Sequence, residues 1–309
     1  EIARAHSAIR VYLNMQAGPA VTICEFGDEE QKKKYLLRLL SGESIGLFAI
    51  TEPDAGSDVA AMKTTAKRDG KDYLINGTKI WITNATVADA GVIFAYTNRA
   101  EKHRGMSAFY ADLNQPGVSR RDLDKLGAHA SPTGELTFDN FRIPAENLIG
   151  QEGDGFKICM RHLNHTRLGC AAGAVGLAKA AREAAVSYAN QREQFGQKIG
   201  QFQMNQDLIA QMLVQEESSR LLVYRAACLA DRGRAYNLEV SMAKYAAAET
   251  AAFCADSALK ILGAYGYSTE FPVERYYRDA KSYQIVEGSV NIQKLIIARD
   301  ALGYKKANR

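Results

Sequence analysis

Nothing in this chain marks a membrane or secreted protein. No apolar segment reaches about 18 residues, so no membrane span can be drawn, and no charged leader followed by an apolar stretch is visible. The cysteines are few and unpatterned. Cys24, Cys159, Cys170, Cys228 and Cys254 show no C-x-x-C spacing and several sit in apolar helical stretches, which predicts reduced core thiols in an intracellular protein. Histidine is equally scarce: His162 and His165 share a helix face, but His6, His103 and His129 supply no third ligand, so no metal centre is expected. The net charge of +4 mixes acids and bases throughout, and without a basic block neither nucleic acid nor a membrane surface is a partner. There is no internal repeat and no low-complexity segment. What remains, 309 residues that are 47% hydrophobic and 24% charged, is an ordinary globular chain of two or three domains. It opens at Glu1 without an initiator Met, inside what looks like a helix, and reads as lacking its own beginning.

The apolar period divides the chain in three. Residues 1–43 are helical and read as the remnant of an N-terminal helical domain: a small-residue segment, a break at Gly18-Pro19, then Asp28-Glu-Glu-Gln31 at capping-box spacing before an amphipathic Lys32–Leu40. Residues 44–150 change to short strands, at 64–67, 73–75 and 80–83, with tight hairpins expected at Asp69-Gly70 and Asn76-Gly77, and more at 91–96, 106–113, 118–123 and 136–141. These predict a compact β domain, a barrel or sandwich, closed by Pro144 and Gly150. Residues 151–309 are helical again, with long apolar three–four spacings over 156–191, 204–232 and 237–263 and a last helix after Ser289, enough for a four-helix bundle. The fold class is α+β.

Three stretches could carry chemistry. Glu287 precedes Gly288, whose backbone freedom lets the carboxylate be aimed into a cavity, and Ser289 is placed to cap an amphipathic helix with apolar positions Ile292, Leu295, Ile296 and Leu302. Flanked by Ile285, Val286 and Val290, this carboxylate would be partly desolvated and so a stronger base toward a carbon acid; the alternative is a solvated partner of the helix dipole. Phe48-Ala-Ile-Thr51-Glu-Pro-Asp-Ala-Gly-Ser57-Asp58 leaves a strand for a loop of Gly, Ser and Pro that suits a phosphate or a flat heterocycle, or is a plain turn capped by Asp58. The sole tryptophan, in Lys79-Ile-Trp81-Ile-Thr83, suits a flat ring beside Thr83, or core packing.

Taken together in this order, the Thr51-Glu-Pro loop, Asn76-Gly77 with Trp81-Ile-Thr83, Arg192-Glu-Gln-Phe195-Gly196, Gly263-Ala-Tyr-Gly266, Arg278-Asp279-Ala280 and Glu287-Gly288 resemble the acyl-CoA dehydrogenase family of flavoproteins over essentially the whole chain. The resemblance implies FAD extended between the β domain and the bundle. Thr51 and Thr83 would bond the flavin edge, Trp81 would pack beside the ring and Ser57 would lie near phosphates. Phe48, Gln203, Gly263, Ala264, Ser289 and Asn291 join the expected cofactor contacts. Arg192 and Phe195 would reach the adenosine diphosphate of a neighbouring subunit's FAD, implying an oligomer, in this family usually a homotetramer. Lys260 and Ala264 stand where the family usually has Gln and Gly, and Lys260 can still serve an anion. Asn164, where the family commonly has Asp, and Arg167 would face the thioester side of the CoA channel with Ser57 and Gly288.

The family's chemistry makes Glu287 the base that removes the thioester α-proton. The Glu287 N–H and a ribityl hydroxyl polarise the carbonyl, and a β-hydride passes to flavin N5 to give the trans-2-enoyl-CoA. Electrons then go to an electron-transfer flavoprotein. The opening Glu1-Ile-Ala-Arg-Ala-His-Ser-Ala-Ile-Arg10-Val11 resembles the glutaryl-CoA dehydrogenases, in which an arginine at the position of Arg10 binds the distal carboxylate; otherwise Arg10 is a surface residue. Decarboxylating members carry Glu, Ser and Tyr where this chain has Ala3, Val11 and Val286, so the reaction is expected to stop at glutaconyl-CoA. The rival expectations are a short-chain or cyclic acyl-CoA dehydrogenase, a flavin oxidase and a catalytically silent binding subunit. The expected compartment is the cytoplasm of a bacterium or the mitochondrial matrix of a eukaryote.

Overall fold

A computed structural model describes residues 1–304; the last five residues of the expected 151–309 segment lie outside the described residues. The chain opens with α1 (Ile2–Ala5), α2 (Ser7–Phe26), the single turn α3 (Glu29–Gln31), a π-helical turn at Lys32–Leu36 and α4 (Leu37–Leu40). Strands follow: β1 (Gly46–Ala49), β2 (Thr65–Asp69), β3 (Asp72–Thr83), β4 (Ala90–Tyr96), β5 (Met106–Asp112), β6 (Val118–Asp122), β7 (Thr133–Pro144) and β8 (Leu148–Ile149). The rest is α5 (Gly155–Gln191), the hairpin β9 (Glu193–Gln194) and β10 (Gln197–Lys198), α6 (Gln203–Asp231), α7 (Asn237–Leu262), α8 (Val273–Tyr283) and α9 (Val290–Ala301). Among the described residues no helix is long and apolar enough to cross a membrane.

The chain forms two compact units. One comprises residues 11–125 and 129–163. Its sheet runs β6-β7-β3-β2-β4-β5-β8, with β1 added in parallel to β4. β4 is buried throughout, and its alternate residues feed two different cores. Val92, Phe94 and Tyr96 pack with Ala20, Ile23, Leu39, Phe48 and Ile158, whereas Ile93 and Ala95 pack with Tyr73, Ile75, Phe109 and Phe141. The Asp28 capping box forms as its spacing predicts, with Gln31 N donating to Asp28 Oδ1 at 2.8 Å.

Two local expectations are corrected here. Gly18-Pro19 does not break the helix: α2 runs through Pro19, and the interruption falls at His6, where φ is −159°. Pro19 is instead a packing surface, since a side chain at Gly46 would lie 2.6 Å from its ring. Asn76-Gly77 makes no hairpin, for β3 continues through it with a bulge between Ile75 and Gly77. Gly77 is required there because a Cβ would meet Thr64 Oγ1 at 2.4 Å and φ is +147°. Asp69-Gly70 does form the β2–β3 hairpin, pairing Asp69 with Asp72.

The other unit comprises, among the described residues, 1–10, 126–128 and 164–304. Its core is built on alanine: Ala171 and Ala174 of α5 and Ala243, Ala247, Ala251 and Ala255 of α7 surround Tyr283 and Val223, small side chains that let helices approach closely. Of the cysteines, Cys159, Cys170 and Cys254 are buried as expected, but Cys24 and Cys228 are exposed; none of the five is in a disulfide. No group of three metal-ligating side chains occurs among the described residues.

Candidate active site

The turn between α8 and α9 is tightly constrained. Glu287 has φ +58° and Gly288 φ +84°, two successive left-handed residues. For a glutamate this costs roughly 1–2 kcal/mol and persists only where surrounding bonds impose it. Those bonds are present on every side. Arg167 Nε donates to Glu287 O at 3.2 Å, Lys244 Nζ to Gly288 O at 2.7 Å and Gln293 Nε2 to Gly288 O at 2.9 Å. The Thr166 hydroxyl donates to the Glu287 carboxylate. Ser289 caps α9 as predicted, accepting from Ile292 N at 3.4 Å.

Asn164 and Arg167, one helical turn apart on α5, are joined through Arg167 Nη1 to Asn164 Oδ1 at 2.9 Å, and Asn164 Nδ2 donates to Asn237 Oδ1 at 2.8 Å. Burial pushes the Arg167 guanidinium below its ordinary value, and the Glu287 charge partly opposes this. Two readings of this region are corrected. Ile285 and Val286 are 63% and 41% exposed, so the residues before Glu287 do not form the apolar screen expected of them. The α9 stripe is also not buried as drawn, because Leu295 and Leu302 are exposed and Gln293 is the residue taken inward. The polar bonds inside this turn outweigh the apolar period. Sequence reasoning missed Thr166, Lys244 and Gln293. Lys244 did carry a signal, a lone cation inside the alanine run of α7.

Arg10 belongs to the same unit. It is half-buried, and its Nη2 lies out of solvent with no hydrogen-bond partner. The guanidinium carbon stands 5.5 Å from the centre of the Tyr283 ring, whose hydroxyl is fixed 2.8 Å from Ser7 Oγ. Burial opposes the charge on Arg10, yet the group is held above its ordinary value with the Glu287 carboxylate among the causes, so it is always a cation. Burial pushes both the Cys170 thiol and the Tyr283 phenol up, which keeps those two neighbours uncharged. Gly173 makes room: a Cβ there would lie 2.8 Å from Arg10 Nε.

In the sheet unit, a second bulge between Lys79 and Ile82 turns Trp81 out at φ +60°. Its indole is 57% exposed, a flat apolar face with no core to fill. Beside it, Ile80 N donates to Thr51 O at 2.9 Å, bringing the Thr51 loop against the Trp81 strand. Thr51 and Thr83 are half-buried and Ser57 is exposed. Phe48, by contrast, is a core residue stacked 3.9 Å from His162, and Val11, in the same unit, is half-buried.

A third group lies at the other end of the helical unit. Phe195-Gly196 is the two-residue turn of the β9–β10 hairpin, with φ +54° and +77°, and it holds Phe195 94% exposed. Arg192 sits 5.6 Å above the Tyr265 ring, beside Gly263 and Ala264, which are exposed like Gln203. Lys260 pairs with Asp256 at 2.6 Å, so its cation is already engaged. Asn291 is exposed at the start of α9. Within the sheet unit the bare Trp81 ring with threonine hydroxyls near it suits a flat heterocycle, and within the helical unit the exposed Phe195 ring with the Arg192 guanidinium near it suits a diphosphate.

An α+β chain with one helical segment before a sheet and a helical bundle after it, a carboxylate fixed on a strained turn and a bare indole on a bulge has the features of a flavin-dependent dehydrogenase. Three family models match in order: the acyl-CoA dehydrogenase N-terminal domain over residues 1–43, middle domain over 47–141 and C-terminal domain over 153–302. A glutaryl-CoA dehydrogenase of Desulfococcus multivorans is 57% identical over 312 residues, covering 100% of this chain and 80% of the relative. An acyl-CoA dehydrogenase of Bacillus subtilis (strain 168) is 47% identical, covering 98% and 80%. A solved glutaryl-coenzyme A dehydrogenase in complex with glutaryl-CoA superposes with TM-score 0.97 at 57% identity over 100% of this chain and 79% of that one. The chain belongs to the acyl-CoA dehydrogenase family. It is an FAD-dependent oxidoreductase acting on acyl-CoA thioesters.

Proposed function

We propose that this enzyme dehydrogenates glutaryl-CoA to glutaconyl-CoA and releases it without decarboxylation. The observation that carries this reading is Arg10: a permanent cation with a buried, unpartnered nitrogen, beside an uncharged thiol and an uncharged phenol, suits the carboxylate of a substrate. A free distal carboxylate distinguishes glutaryl-CoA from the simple fatty acyl thioesters. The relative that is 57% identical over the whole chain is a glutaryl-CoA dehydrogenase, which supports the same substrate.

Glu287 takes the α-proton, and Arg167 and Gln293 hold its backbone while it does so. The Glu287 N–H polarises the thioester carbonyl as negative charge develops. FAD, when bound, supplies the two-electron acceptor that no side chain provides. Thr51, Thr83 and Trp81 would hold its ring, Ser57 would serve its phosphates, and Arg192 and Phe195 would serve the cofactor of a neighbouring subunit in a homotetramer. Electrons leave to an electron-transfer flavoprotein. Ala3, Val11 and Val286 offer the distal carboxylate no further donor, so the carbon–carbon bond to it is retained. The enzyme works in the cytoplasm of a bacterium or in the mitochondrial matrix.

The test is turnover of glutaryl-CoA with an artificial electron acceptor. Glutaconyl-CoA is the expected product. Crotonyl-CoA with carbon dioxide would overturn the non-decarboxylating part, and good turnover of butyryl-CoA with none of glutaryl-CoA would overturn the substrate.

A further inference from the structure

Lys244 is fully buried in α7, packed among Ala243, Ala247 and Ala248. An ammonium in such a place is unfavourable unless a bond compensates it. Burial pushes it below its ordinary value. The compensating bond is not to a carboxylate. Nζ donates to Gly288 O at 2.7 Å, a backbone carbonyl of the base turn. Gln293 is fully buried as well, and its Nε2 donates to the same carbonyl at 2.9 Å and to Glu287 O at 3.5 Å. Gly288 is what lets that amide approach, because a Cβ at 288 would lie 2.7 Å from Gln293 Nε2. The two left-handed residues thus turn their carbonyls onto donors of α5, α7 and α9.

We infer that Lys244 and Gln293 are positioning residues for Glu287, holding its strained turn so that the carboxylate stays aimed at the substrate α-carbon. This rests on the reading of Glu287 as the base. Ala243, Ala247, Ala248 and Ala251 are buried on the same helix, and a lysine among them serves the turn.

Lys244→Met separates the two roles. It removes a buried cation at similar volume, and Gly288 O keeps Gln293, so the fold is expected to be as stable as before, or more so. The expected result is an unchanged flavin content and a KM within about twofold. The kcat falls about tenfold or more, because a misaimed base loses rate rather than binding. Exchange of the glutaryl-CoA α-protons with D2O falls in parallel. In the flavin-free protein, amide exchange over residues 285–289 rises about tenfold, a readout independent of turnover. Gln293→Met should give the same pattern and decides the matter should Lys244→Met fail to fold. Unchanged kcat and unchanged amide exchange in these variants would overturn the inference. If Glu287→Gln itself keeps full turnover, the base assignment falls instead.

Discussion

The Lys79 ammonium stands 2.7 Å from a Glu52 carboxylate oxygen with both side chains out of solvent. Glu52 also accepts from Lys63 N at 2.5 Å and Thr64 N at 3.0 Å, and Lys79 donates to Ile50 O at 3.1 Å. Burial would raise Glu52, but the Lys79 charge and these bonds outweigh it and hold the carboxyl below its ordinary 4.5. Burial pushes Lys79 the other way, down to about 8 against the pull of Glu52. The completeness of the hydrogen bonding favours the charged pair at neutral pH. Either Lys79→Met or Glu52→Gln alone should cost about 3–5 kcal/mol, because each strands a buried group, and the double variant should cost much less than the sum. Urea denaturation of the four proteins checks this. The Glu52 contribution is present above about pH 4.5, its unfolded value, and is lost as pH falls through its lower folded value.

The same pair explains why Trp81 is where it is, and Trp81 offers a second measurement. Lys79 faces in and Trp81 faces out across one bulge. The chain has a single tryptophan, so its fluorescence reports this position alone. Flavin-free protein should emit at the long wavelength of a half-exposed indole, and stoichiometric FAD should quench it. Emission that ignores FAD would remove Trp81 from the flavin site.

Glu287→Gln preserves an oxygen for the Thr166 hydroxyl and every backbone bond of the turn. It should therefore bind FAD and glutaryl-CoA normally and lose about 10²–10⁴-fold in kcat, the range expected for removal of a general base. Steady-state kinetics with flavin content measured on the same sample checks it.

Much of this was legible in the amino-acid order, and the exceptions share a cause. Glu287, Gly288 and the Ser289 cap could be read because each is a local signal: a residue type at a fixed offset from a helix start. Thr166, Lys244 and Gln293 could not, because their meaning lies in where α5, α7 and α9 meet. The Pro19 expectation failed for a related reason. Propensity alone ends a helix there, whereas packing of Pro19 against Gly46 keeps it. Asn76-Gly77 reads as a hairpin from two residues, yet the pairing of β3 with β7 on both sides of it makes a bulge. Ile285 and Val286 read as a screen for the base, and nothing in the pattern says that they stay exposed.

Arg10→Met removes the cation that stands beside an uncharged thiol and an uncharged phenol. The kcat/KM for glutaryl-CoA should fall on the order of 10²-fold, the loss expected when a buried partner of a charge is truncated. That for butyryl-CoA should hold or rise, because an apolar chain end no longer meets a guanidinium. Equal losses on both substrates would mean that Arg10 supports the fold rather than the selection.

Asp279 tests the buried electrostatics by pH. It is almost wholly buried on α8; Oδ1 accepts from Ala128 N at 2.5 Å, and Oδ2 has no partner. Ala128 is itself at φ +52°, so this bond fixes a strained residue of the 126–128 segment. Burial raises the carboxyl above its ordinary 3.8, and the Ala128 N–H with the charges of Arg278, Arg275 and His6 only partly offsets it. A raised folded value means that the native state holds the proton more tightly than the unfolded chain. The stability this contributes is complete below pH 3.8 and is lost as pH rises through the folded value. Asp279→Asn keeps an oxygen for Ala128 and never ionises, so at pH 7 it should be more stable than wild type by on the order of 1 kcal/mol. The advantage should shrink toward zero as the pH approaches 3.8. Urea denaturation of both proteins at pH 7 and pH 4 measures the difference, and a gap that does not change with pH would show that Asp279 is ionised in the folded protein without penalty.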